Sequence, residues 1–293
     1  MAKVVKVIYM YIMINLSIGF IGQGWIGKNY ANDFEARGYK VVRYGLESEF
    51  LANREKIASC DIVFIAVPTP TTVIGFSDSI VREAVGLVGK GKIAVIKSTI
   101  LPGATQSIQK QYPDIFVFHS PEFLTESTAS FDASHPQRNI IGIPLESKIY
   151  QEKAEQVMSV LPDAPYKKIC SSIDAEIIKY GRNISGFFRV IFANILYDLT
   201  QNVGGNWDDI KEAMSADPDT GPTYLNPVHK SGRGAGGHCF IKDFAAFTAI
   251  YQDKVVSDKL GLDVLKSLEN KNIELLKATG KDLDLLSGVY GRL

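Results

Sequence analysis

Cysteine is scarce in this chain of 293 residues, which contains only Cys60, Cys170 and Cys239. The three positions have neither the spacing of a metal site nor the even number of a disulfide framework. A sparse and odd set of thiols is typical of proteins in a reducing compartment. The sequence therefore predicts a cytoplasmic protein without a metal site.

Charge of one sign is not in excess either, because 32 Lys and Arg residues balance 32 Asp and Glu residues. A net charge of zero gives no electrostatic reason to expect a nucleic acid or a membrane surface as partner. Hydrophobic residues make up 46% of the chain and charged residues 22%, as in an ordinary soluble protein. The length is typical of about two domains.

The longest apolar run near the N-terminus, residues 7–20, is too short to span a membrane and is interrupted by Asn15 and Ser17. It leads directly into a glycine-rich turn, which favours a first β-strand over a targeting signal. A strand that begins near Ile14 would be complete without residues 1–13. We therefore interpret these residues as a non-essential extension.

Short apolar segments alternate with amphipathic segments through the first half of the chain. This alternation predicts βαβ units and a doubly wound parallel sheet, the α/β architecture of a Rossmann domain. The predicted strands are 15–21, 40–44, 62–66, 93–96, 115–118 and 139–143, and helices are predicted at 27–37 and 79–88.

A long periodic segment without proline extends from Ile173 to Val203. Its length predicts one connecting helix, and its apolar residues occupy more than one face, which predicts a homodimer interface. Further helices are predicted at 208–215, 242–252 and 258–279. The predicted domains are a Rossmann domain over residues 1–172 and a mostly helical central domain over residues 173–293.

A dinucleotide-binding pattern follows the first predicted strand. Gly22-Gln23-Gly24-Trp25-Ile26-Gly27 is a G-x-G-x-x-G between a strand and a helix. Its glycines permit a tight turn, close approach of a pyrophosphate and helix–strand packing, while the helix N-terminus faces the phosphates. We therefore assign these six residues to cofactor binding.

The acid that normally ends the second strand and binds the ribose 2′-hydroxyl is missing. The segment reads Val42-Arg43-Tyr44-Gly45, with glycine in the position of the acid and Glu47 displaced from it. Arg43 is a candidate contact for the 2′-phosphate of NADP. The residues leave NADP open, although we favour NAD.

The segment GAGGHCFIKD at 234–243 contains the best candidate for a nucleophile. Cys239 follows a glycine-rich turn and immediately precedes a predicted helix, with Lys242 nearby. A helix N-terminus and a cation both lower the pKa of a thiol and favour the reactive thiolate. Cys60 and Cys170 lie in apolar, strand-like surroundings and are interpreted as packing residues.

Other candidate groups lie on the long helix and after strand ends. Lys179 and Asn183 share a helix face, where an ammonium and an amide can stabilise an oxyanion or accept a proton. Glu122, Glu126 and Thr99 follow strands, at the edge where open α/β sheets bind ligands. Glu122 is a candidate general base for water, and a pair of solvent-exposed acids is the alternative interpretation.

In order and spacing these segments resemble the UDP-glucose/GDP-mannose dehydrogenase family, from near Ile18 to near Leu275. The resemblance rests on Gly19–Gly24, Ala66–Thr71, Ser98-Thr99 with Pro102-Gly103, Pro121–Leu124, Asp132, Pro136, Arg138, Lys179 with Asn183, and Cys239 with Lys242-Asp243. It implies NAD as cofactor, a nucleotide sugar as substrate and a homodimer.

The resemblance also implies a reaction, the oxidation of a primary alcohol to a carboxylate in two NAD-dependent steps. Cys239 would attack the aldehyde to give a thiohemiacetal, and a second hydride transfer would leave a thioester. Glu122 would assist the water that hydrolyses it. Lys179 and Asn183 would stabilise oxyanions, and Asp243 would help proton transfer.

Cofactor contacts are implied in the same way. Thr99 and Glu126 would line the nicotinamide end of the site. Thr69 and Pro70 would contact the cofactor as well.

Three departures from the family leave the substrate undefined. Family members usually continue into a further domain that binds the nucleotide of the substrate, so we expect a short form. The family's Asp-x-Arg-Ile-Gly segment reads Asp217-Pro218-Asp219-Thr220-Gly221 here, so an acid replaces the arginine. His238 and Ile241 stand where serine and proline are common.

Two alternatives stay open. A single-step β-hydroxyacid dehydrogenase also joins a Rossmann domain to a helical domain and uses a helical Lys and Asn, but it does not need Cys239. A non-catalytic nucleotide-binding relative would explain the replaced arginine, although Lys179, Asn183, Cys239 and Asp243 are all present.

Overall fold

The computed structural model describes residues 16–291. They pack as two units, one of residues 16–69 and 77–179 and one of residues 70–76 and 180–291. The predicted strand start at Asn15 and the predicted extension 1–13 lie outside the described residues. The boundary predicted between residues 172 and 173 stays a prediction, and the packing division follows Lys179.

The strands are, in chain order, β1 (Ser17–Ile21), β2 (Lys40–Tyr44), β3 (Ile62–Ile65), β4 (Thr71–Thr72), β5 (Gly75–Phe76), β6 (Ile93–Ile96), β7 (Phe116–His119), β8 (Arg138–Ile143), β9 (Tyr166–Ser171), β10 (Val228–His229) and β11 (Gly232–Arg233). The helices are α1 (Trp25–Ala36), α2 (Ser48–Leu51), α3 (Ser79–Val85), α4 (Ala104–Gln111), α5 (Ala129–Ser134), α6 (Lys148–Val160), α7 (Ser172–Asn202), α8 (Trp207–Ala216), α9 (Gly237–Lys254), α10 (Lys259–Thr279) and α11 (Leu283–Tyr290). Short 3₁₀ helices lie at Arg54–Ser59 and Glu126–Thr128.

Seven strands of the first unit form one sheet in the order β2-β1-β3-β6-β7-β8-β9. Neighbouring strands in this described sheet are parallel, except that β7 and β8 meet antiparallel with His119 opposite Gly142. A parallel pair needs a crossover that packs on the sheet. The helix between β7 and β8, α5, has six residues and packs against α1. The predicted doubly wound α/β sheet is confirmed, with one antiparallel pair as a departure.

The sheet core is apolar and aromatic. The rings of Phe20, Phe34 and Phe64 lie with centroids 5.1 to 5.4 Å apart. Strands β3 and β6 are buried along their whole length, as expected for central parallel strands covered on both faces. Their uninterrupted apolar sequences explain why both were predictable.

The sequence predictions failed at the edge of the sheet. Strand β9 forms one end of the strand order, and its first three residues are exposed. Lysines and a tyrosine on an exposed edge do not give the apolar pattern of a strand. The predicted strand 115–118 lies one residue later, at Phe116–His119.

The second unit is mostly helical, as predicted. Helix α7 has 31 residues, and its later turns pack in this unit through Phe187 against Phe244 of α9. These two rings stack with centroids 3.8 Å apart. Helix α9 begins at Gly237, earlier than predicted, so Cys239 lies in its first turn and not before it. None of the described helices is long and apolar enough to cross a membrane.

Within the first unit, the early turns of α7 are fixed by Glu176. This fully buried carboxylate accepts hydrogen bonds from the backbone N–H groups of Gly103, at 2.6 Å, and Thr105, at 2.8 Å, and from the Thr105 hydroxyl, at 2.5 Å. Burial raises the pKa of Glu176, and these hydrogen bonds oppose the shift. Glu176 therefore satisfies the first amides of α4, which would otherwise be buried without partners.

We predict that Glu176→Ala lowers the free energy of unfolding by about 2–4 kcal/mol, because it leaves two buried donors of Thr105 and one part-buried donor of Gly103 without an acceptor. Urea denaturation measures the change. The matched control is Glu155→Ala on the exposed face of α6, with an expected change below about 0.5 kcal/mol. Equal losses in the two variants would contradict the capping role.

Candidate active site

The glycine-rich loop follows β1, the strand at which the order of the sheet reverses direction. Open α/β sheets bind their ligands at this switch point. Gly22 has a φ of 90°, and a Cβ there would collide with the carbonyl oxygen of Ala66 in the loop after β3. A Cβ on Gly27 would collide with the Gly22 carbonyl oxygen. Backbone packing therefore requires glycine at both positions.

Gly24 has a different environment. A Cβ added there would meet no described atom within 4 Å, and Gly24 is the N-cap of α1 without a side-chain capping bond. This open space at a helix N-terminus fits the close approach of a pyrophosphate. Gln23 is buried, and its Oε1 has no hydrogen-bond partner among the described residues. Trp25 is exposed and Ile26 is half-buried.

Glu47 occupies the place of the missing acid. A Cβ on Gly45 would collide with Oε2 of Glu47 and would lie 3.2 Å from Cγ of Gln23. The Glu47 carboxylate therefore folds back over Gly45, beside the glycine loop. An acid in this place accepts hydrogen bonds from the ribose hydroxyls and repels a 2′-phosphate.

Arg43, the candidate contact for a 2′-phosphate, is held by side chains of α1. Its guanidinium binds the Glu35 carboxylate through Nε, at 2.9 Å, and Nη2, at 2.7 Å, and donates to Asn32 at 2.7 Å. The group is thus engaged by α1. The surroundings of Gly45 therefore combine the Glu47 carboxylate with an arginine that is paired to α1.

The loops after β3 and β6 are joined by Ser98. Its hydroxyl donates to the Val67 carbonyl oxygen at 2.7 Å and accepts from the Val67 N–H at 3.0 Å. Thr99 follows it and is half-buried. Thr69 is buried and Pro70 exposed, and the packing division falls between them.

Glu122 and Lys179 form a buried ion pair in the first unit. Lys179 Nζ lies 2.7 Å from Glu122 Oε1 and also donates to the Glu122 carbonyl oxygen at 2.8 Å. Glu122 Oε2 accepts from the Leu124 N–H at 2.8 Å, and both side chains of the pair are at most 5% exposed. The interpretation of two exposed acids is therefore wrong for Glu122, whereas Glu126 is exposed.

Lys97 and His119, at the ends of β6 and β7, extend this cluster and were not singled out from the sequence. Lys97 Nζ donates to the Ser120 hydroxyl at 3.2 Å. Burial lowers the pKa of Lys97 to about 7, with Glu122 opposing the shift and Lys179 adding to it. Burial, Lys97 and Lys179 lower the pKa of His119 to about 3, so its ring is neutral near pH 7. Only the fold reveals their burial, because polar residues after strands are usually exposed.

In the second unit, Asn183 and Asp243 are buried together. The Asn183 amide donates to Asp243 Oδ2 at 2.7 Å, and Lys242 forms an ion pair with Asp243 Oδ1. The lysine expected beside the thiol thus binds a carboxylate. Cys239 is exposed in the first turn of α9, which also carries Lys242 and Asp243 in its next turn.

The other two cysteines have the environments expected of packing residues. Cys60 is buried and Cys170 half-buried. Burial raises the pKa of the Cys60 thiol to about 11 and also raises that of Cys170. Both thiols therefore stay protonated near pH 7. In residues 16–291, no group of three His, Cys, Asp or Glu side chains is arranged to hold a metal ion.

Two family models match the chain. The NAD binding domain of the UDP-glucose/GDP-mannose dehydrogenase family matches residues 44–160, and its central domain matches residues 173–273. The chain belongs to the UDP-glucose/GDP-mannose dehydrogenase family. The resemblance and the NAD cofactor predicted from it are confirmed at this level. The glycine motif precedes the matched residues, so its assignment rests on the loop geometry.

Relatives in the UDP-glucose/GDP-mannose dehydrogenase family are longer. A UDP-glucose 6-dehydrogenase of Rickettsia prowazekii is 30% identical over 273 residues, which are 86% of this chain and 60% of that protein. One of Rhizobium meliloti is 28% identical over 67% of this chain and 47% of its own. The chain spans less than two thirds of the length of these relatives.

Solved structures show the same architecture. A UDP-glucose dehydrogenase from Pyrobaculum islandicum matches with a TM-score of 0.74 and 25% identity, covering 88% of this chain and 68% of that chain. A 3-hydroxyisobutyrate dehydrogenase of Mycobacterium tuberculosis matches with a TM-score of 0.69 and 13% identity, covering 94% and 98%. The second is a likeness of fold alone.

We predict that Glu47→Gln reduces the preference for NAD over NADP by about tenfold, because it removes the charge that binds the ribose hydroxyls and repels a 2′-phosphate. Calorimetric titration of the protein with each cofactor, without sugar, measures both dissociation constants. Glu49→Gln, an exposed acid on α2, is the matched control and should leave the ratio unchanged. A ratio that Glu47→Gln leaves unaltered would show that another group selects the cofactor.

Proposed function

We propose that this chain oxidises the primary alcohol of a nucleotide sugar to the carboxylate in two NAD-dependent steps, through a thioester on Cys239. The observation that supports the second step is the exposed thiol in the first turn of α9. A single alcohol oxidation requires no thiol, whereas oxidation of an aldehyde through a covalent adduct does. A reducing compartment keeps such a thiol reduced, so we propose the cytoplasm as its location.

Residues 22–27 would hold NAD⁺, and each of the two oxidations would transfer one hydride to a separate NAD⁺ molecule, which would leave as NADH. Between them, the Cys239 sulfur adds to the aldehyde carbon and the carbonyl oxygen takes up a proton. The second oxidation leaves the sugar joined to the sulfur as a thioester. Water then attacks the carbonyl carbon, the carbon–sulfur bond breaks, and the products are a carboxylate and the restored thiol.

Lys179 is suited to stabilise negative charge on the reacting oxygen. Its ammonium is fixed by two contacts to Glu122, so it needs no rearrangement when charge develops. Glu122 is the proposed acceptor of a proton from the hydrolytic water. Thr99 and Glu126 are proposed to line the nicotinamide end of the cofactor site. Thr69 and Pro70 are proposed to contact the cofactor as well, as the resemblance to the family implies.

Asn183 and Asp243 provide a second fixed pair. Their mutual hydrogen bond orients the amide and leaves its other N–H available for an oxyanion. Asp243, held from the other side by Lys242, is proposed to assist proton transfer.

A single-step β-hydroxyacid dehydrogenase is the second candidate. Its support is the shared fold over 98% of the length of a 3-hydroxyisobutyrate dehydrogenase. Such an enzyme would use the helical Lys179 and Asn183 but would not form an adduct on Cys239. A non-catalytic relative would bind NAD without forming NADH.

We also propose a homodimer through the outer face of α7. Phe192, Ile195 and Leu199 are 53%, 50% and 57% exposed and follow one another at helical spacing. Phe188 and Val203 extend the same row. A row of large exposed apolar side chains on one helix is typical of a subunit interface, and a second copy presents an equal row.

The first prediction of the proposed function concerns stoichiometry. With UDP-glucose, GDP-mannose or an N-acetylated relative, the active substrate should yield two NADH and one carboxylate per alcohol. Cys239→Ser should block thioester formation, because an alcohol is a poorer nucleophile than a thiolate at neutral pH. Glu122→Gln should slow hydrolysis, so that intact-protein mass spectrometry detects an acyl adduct.

Cys60→Ser is the matched control, since its buried thiol lies outside the proposed chemistry. One NADH per alcohol together with full activity of Cys239→Ser would end the two-step proposal in favour of the single-step candidate. No NADH with any substrate, despite NAD binding, would favour the non-catalytic relative.

The second prediction concerns assembly. Sedimentation velocity at micromolar concentration should show a dimer, and Ile195→Lys should shift it to a monomer, because a charge would be buried in the interface. Leu260→Lys changes a similarly exposed apolar residue on α10 and should leave the dimer intact. A monomeric wild-type chain would refute the interface.

A further inference from the structure

The segment that precedes Cys239, residues 232–237, is rich in glycine. Four of the six residues at 232–237 are glycine. Glycine loses more conformational freedom on folding than any other residue, so this segment orders itself poorly. In the structure its backbone is held by side chains from the end of α10 and the turn that follows.

Asn272, in the second half of α10, holds the centre of the segment. Its Oδ1 accepts from the Ala235 N–H at 2.6 Å, and its Nδ2 donates to the Ala235 carbonyl oxygen at 3.0 Å. Asn272 is buried, so both bonds are shielded from water. A Cβ on Gly234, which has a φ of 87°, would lie 2.9 Å from Asn272 Oδ1. A side chain at position 234 would therefore push against the Asn272 amide, so this contact requires glycine there.

Lys281 holds the segment at two carbonyl groups. Its buried ammonium donates to the Gly234 oxygen at 2.9 Å and to the Gly232 oxygen at 3.3 Å. Burial lowers the pKa of Lys281, and the neighbouring Asp282 opposes the shift. Thr279 adds an acceptor for the Arg233 N–H at 3.1 Å.

Asp282 holds the first residue of the helix that bears Cys239. Its Oδ2 accepts from the Gly237 N–H at 2.7 Å, and a Cβ on Gly236 would collide with that oxygen. Asp282 adopts a φ of 51°, in the left-handed region that residues other than glycine seldom occupy. A strained backbone is retained where the surroundings require it, and here it directs a carboxylate to the start of α9.

We propose that Asn272, Lys281 and Asp282 are positioning residues that hold the backbone of residues 232–237 and so fix the sulfur of Cys239 for attack. The inference rests on the proposed function, in which Cys239 is the nucleophile. Misplacing a nucleophile by about 1 Å lowers a rate by up to about a hundredfold, even when the altered residue does not touch the substrate. The three side chains supply the order that the glycines lack.

The test uses Asp282→Gly, because glycine adopts the left-handed backbone freely and only the carboxylate is lost. Since Cys239 acts after the first oxidation, this variant should form carboxylate about tenfold more slowly, with KM for NAD unchanged. Free aldehyde should escape, and NADH per alcohol should fall from two towards one. Asp282→Asn keeps an acceptor oxygen and tolerates the same backbone, so it should restore most of the activity.

Two further variants make the test decisive. Asp284→Gly, an exposed acid in the first turn of α11, is the matched control and should behave as wild type. Lys281→Met keeps the buried stem but loses both donors, and it should show the same loss as Asp282→Gly. Lys281→Met decides the question if circular dichroism shows that Asp282→Gly does not fold.

The rate of alkylation of Cys239 by iodoacetamide, followed by intact-protein mass, separates this inference from the proposed function. Changed alkylation in Asp282→Gly and its recovery in Asp282→Asn support the positioning role, even if Cys239→Ser keeps full activity and the nucleophile assignment fails. Unchanged turnover, stoichiometry and alkylation in folded Asp282→Gly or Lys281→Met would overturn the inference.

Discussion

A charged side chain that is buried in a protein needs a partner, and the early turns of α7 in the first unit carry two such side chains with their partners. Lys179 is paired with the Glu122 carboxylate, and one turn earlier Glu176 is surrounded by the donors of Gly103 and Thr105. Breaking a buried ion pair by removing one partner costs about 3–5 kcal/mol, so the Lys179–Glu122 pair is expected to stay formed. Glu176 attaches α7 to the loop after β6, and Lys179 attaches it to Glu122 after β7. The second contact also fixes the two candidate catalytic groups, the Lys179 ammonium and the Glu122 carboxylate.

In the second unit, the segment before Cys239 is fixed by a different means. The segment before Cys239 contains no buried charge pair of its own, and neutral backbone groups are matched one by one to Asn272, Lys281 and Asp282. A glycine-rich segment permits close packing and positive φ angles, but its order must come from outside. The Lys179 ammonium is thus held by an ion pair, whereas the segment before Cys239 is held by hydrogen bonds to its main chain.

The sequence predicted what depends on continuous patterns. Strands β3 and β6 and helix α7 were found because burial on all sides or on a long stripe leaves an uninterrupted apolar signature. The glycine loop was found because each of its glycines is required for a different steric reason. A Cβ on Gly22 or Gly27 would collide with the backbone, whereas Gly24 borders open space. Strand β9 was missed because an exposed edge carries no such signature.

What the sequence could not show depends on how side chains turn in space. The Glu47 carboxylate lies beside the position of the missing acid because its side chain folds back over Gly45. The pairing of Arg43 could not be read from the sequence for the same reason, since its partner Glu35 lies on α1 and not on its own strand. The burial of Lys97 depends on strands that are distant in sequence and become neighbours in the sheet.

The fold by itself does not choose between one oxidation and two. A Rossmann domain joined to a helical unit is shared with a 3-hydroxyisobutyrate dehydrogenase at 13% identity, so the architecture permits either reaction. Lys179 and Asn183 suit both, because both reactions develop negative charge on an oxygen. The difference lies in Cys239, which the two-step reaction needs and a single oxidation does not. The main-chain groups that Asn272, Lys281 and Asp282 bind would need hydrogen-bond partners in any protein of this fold, so these contacts alone do not distinguish the two reactions. The exposed thiol in the first turn of α9 is therefore the observation that favours the proposed thioester route.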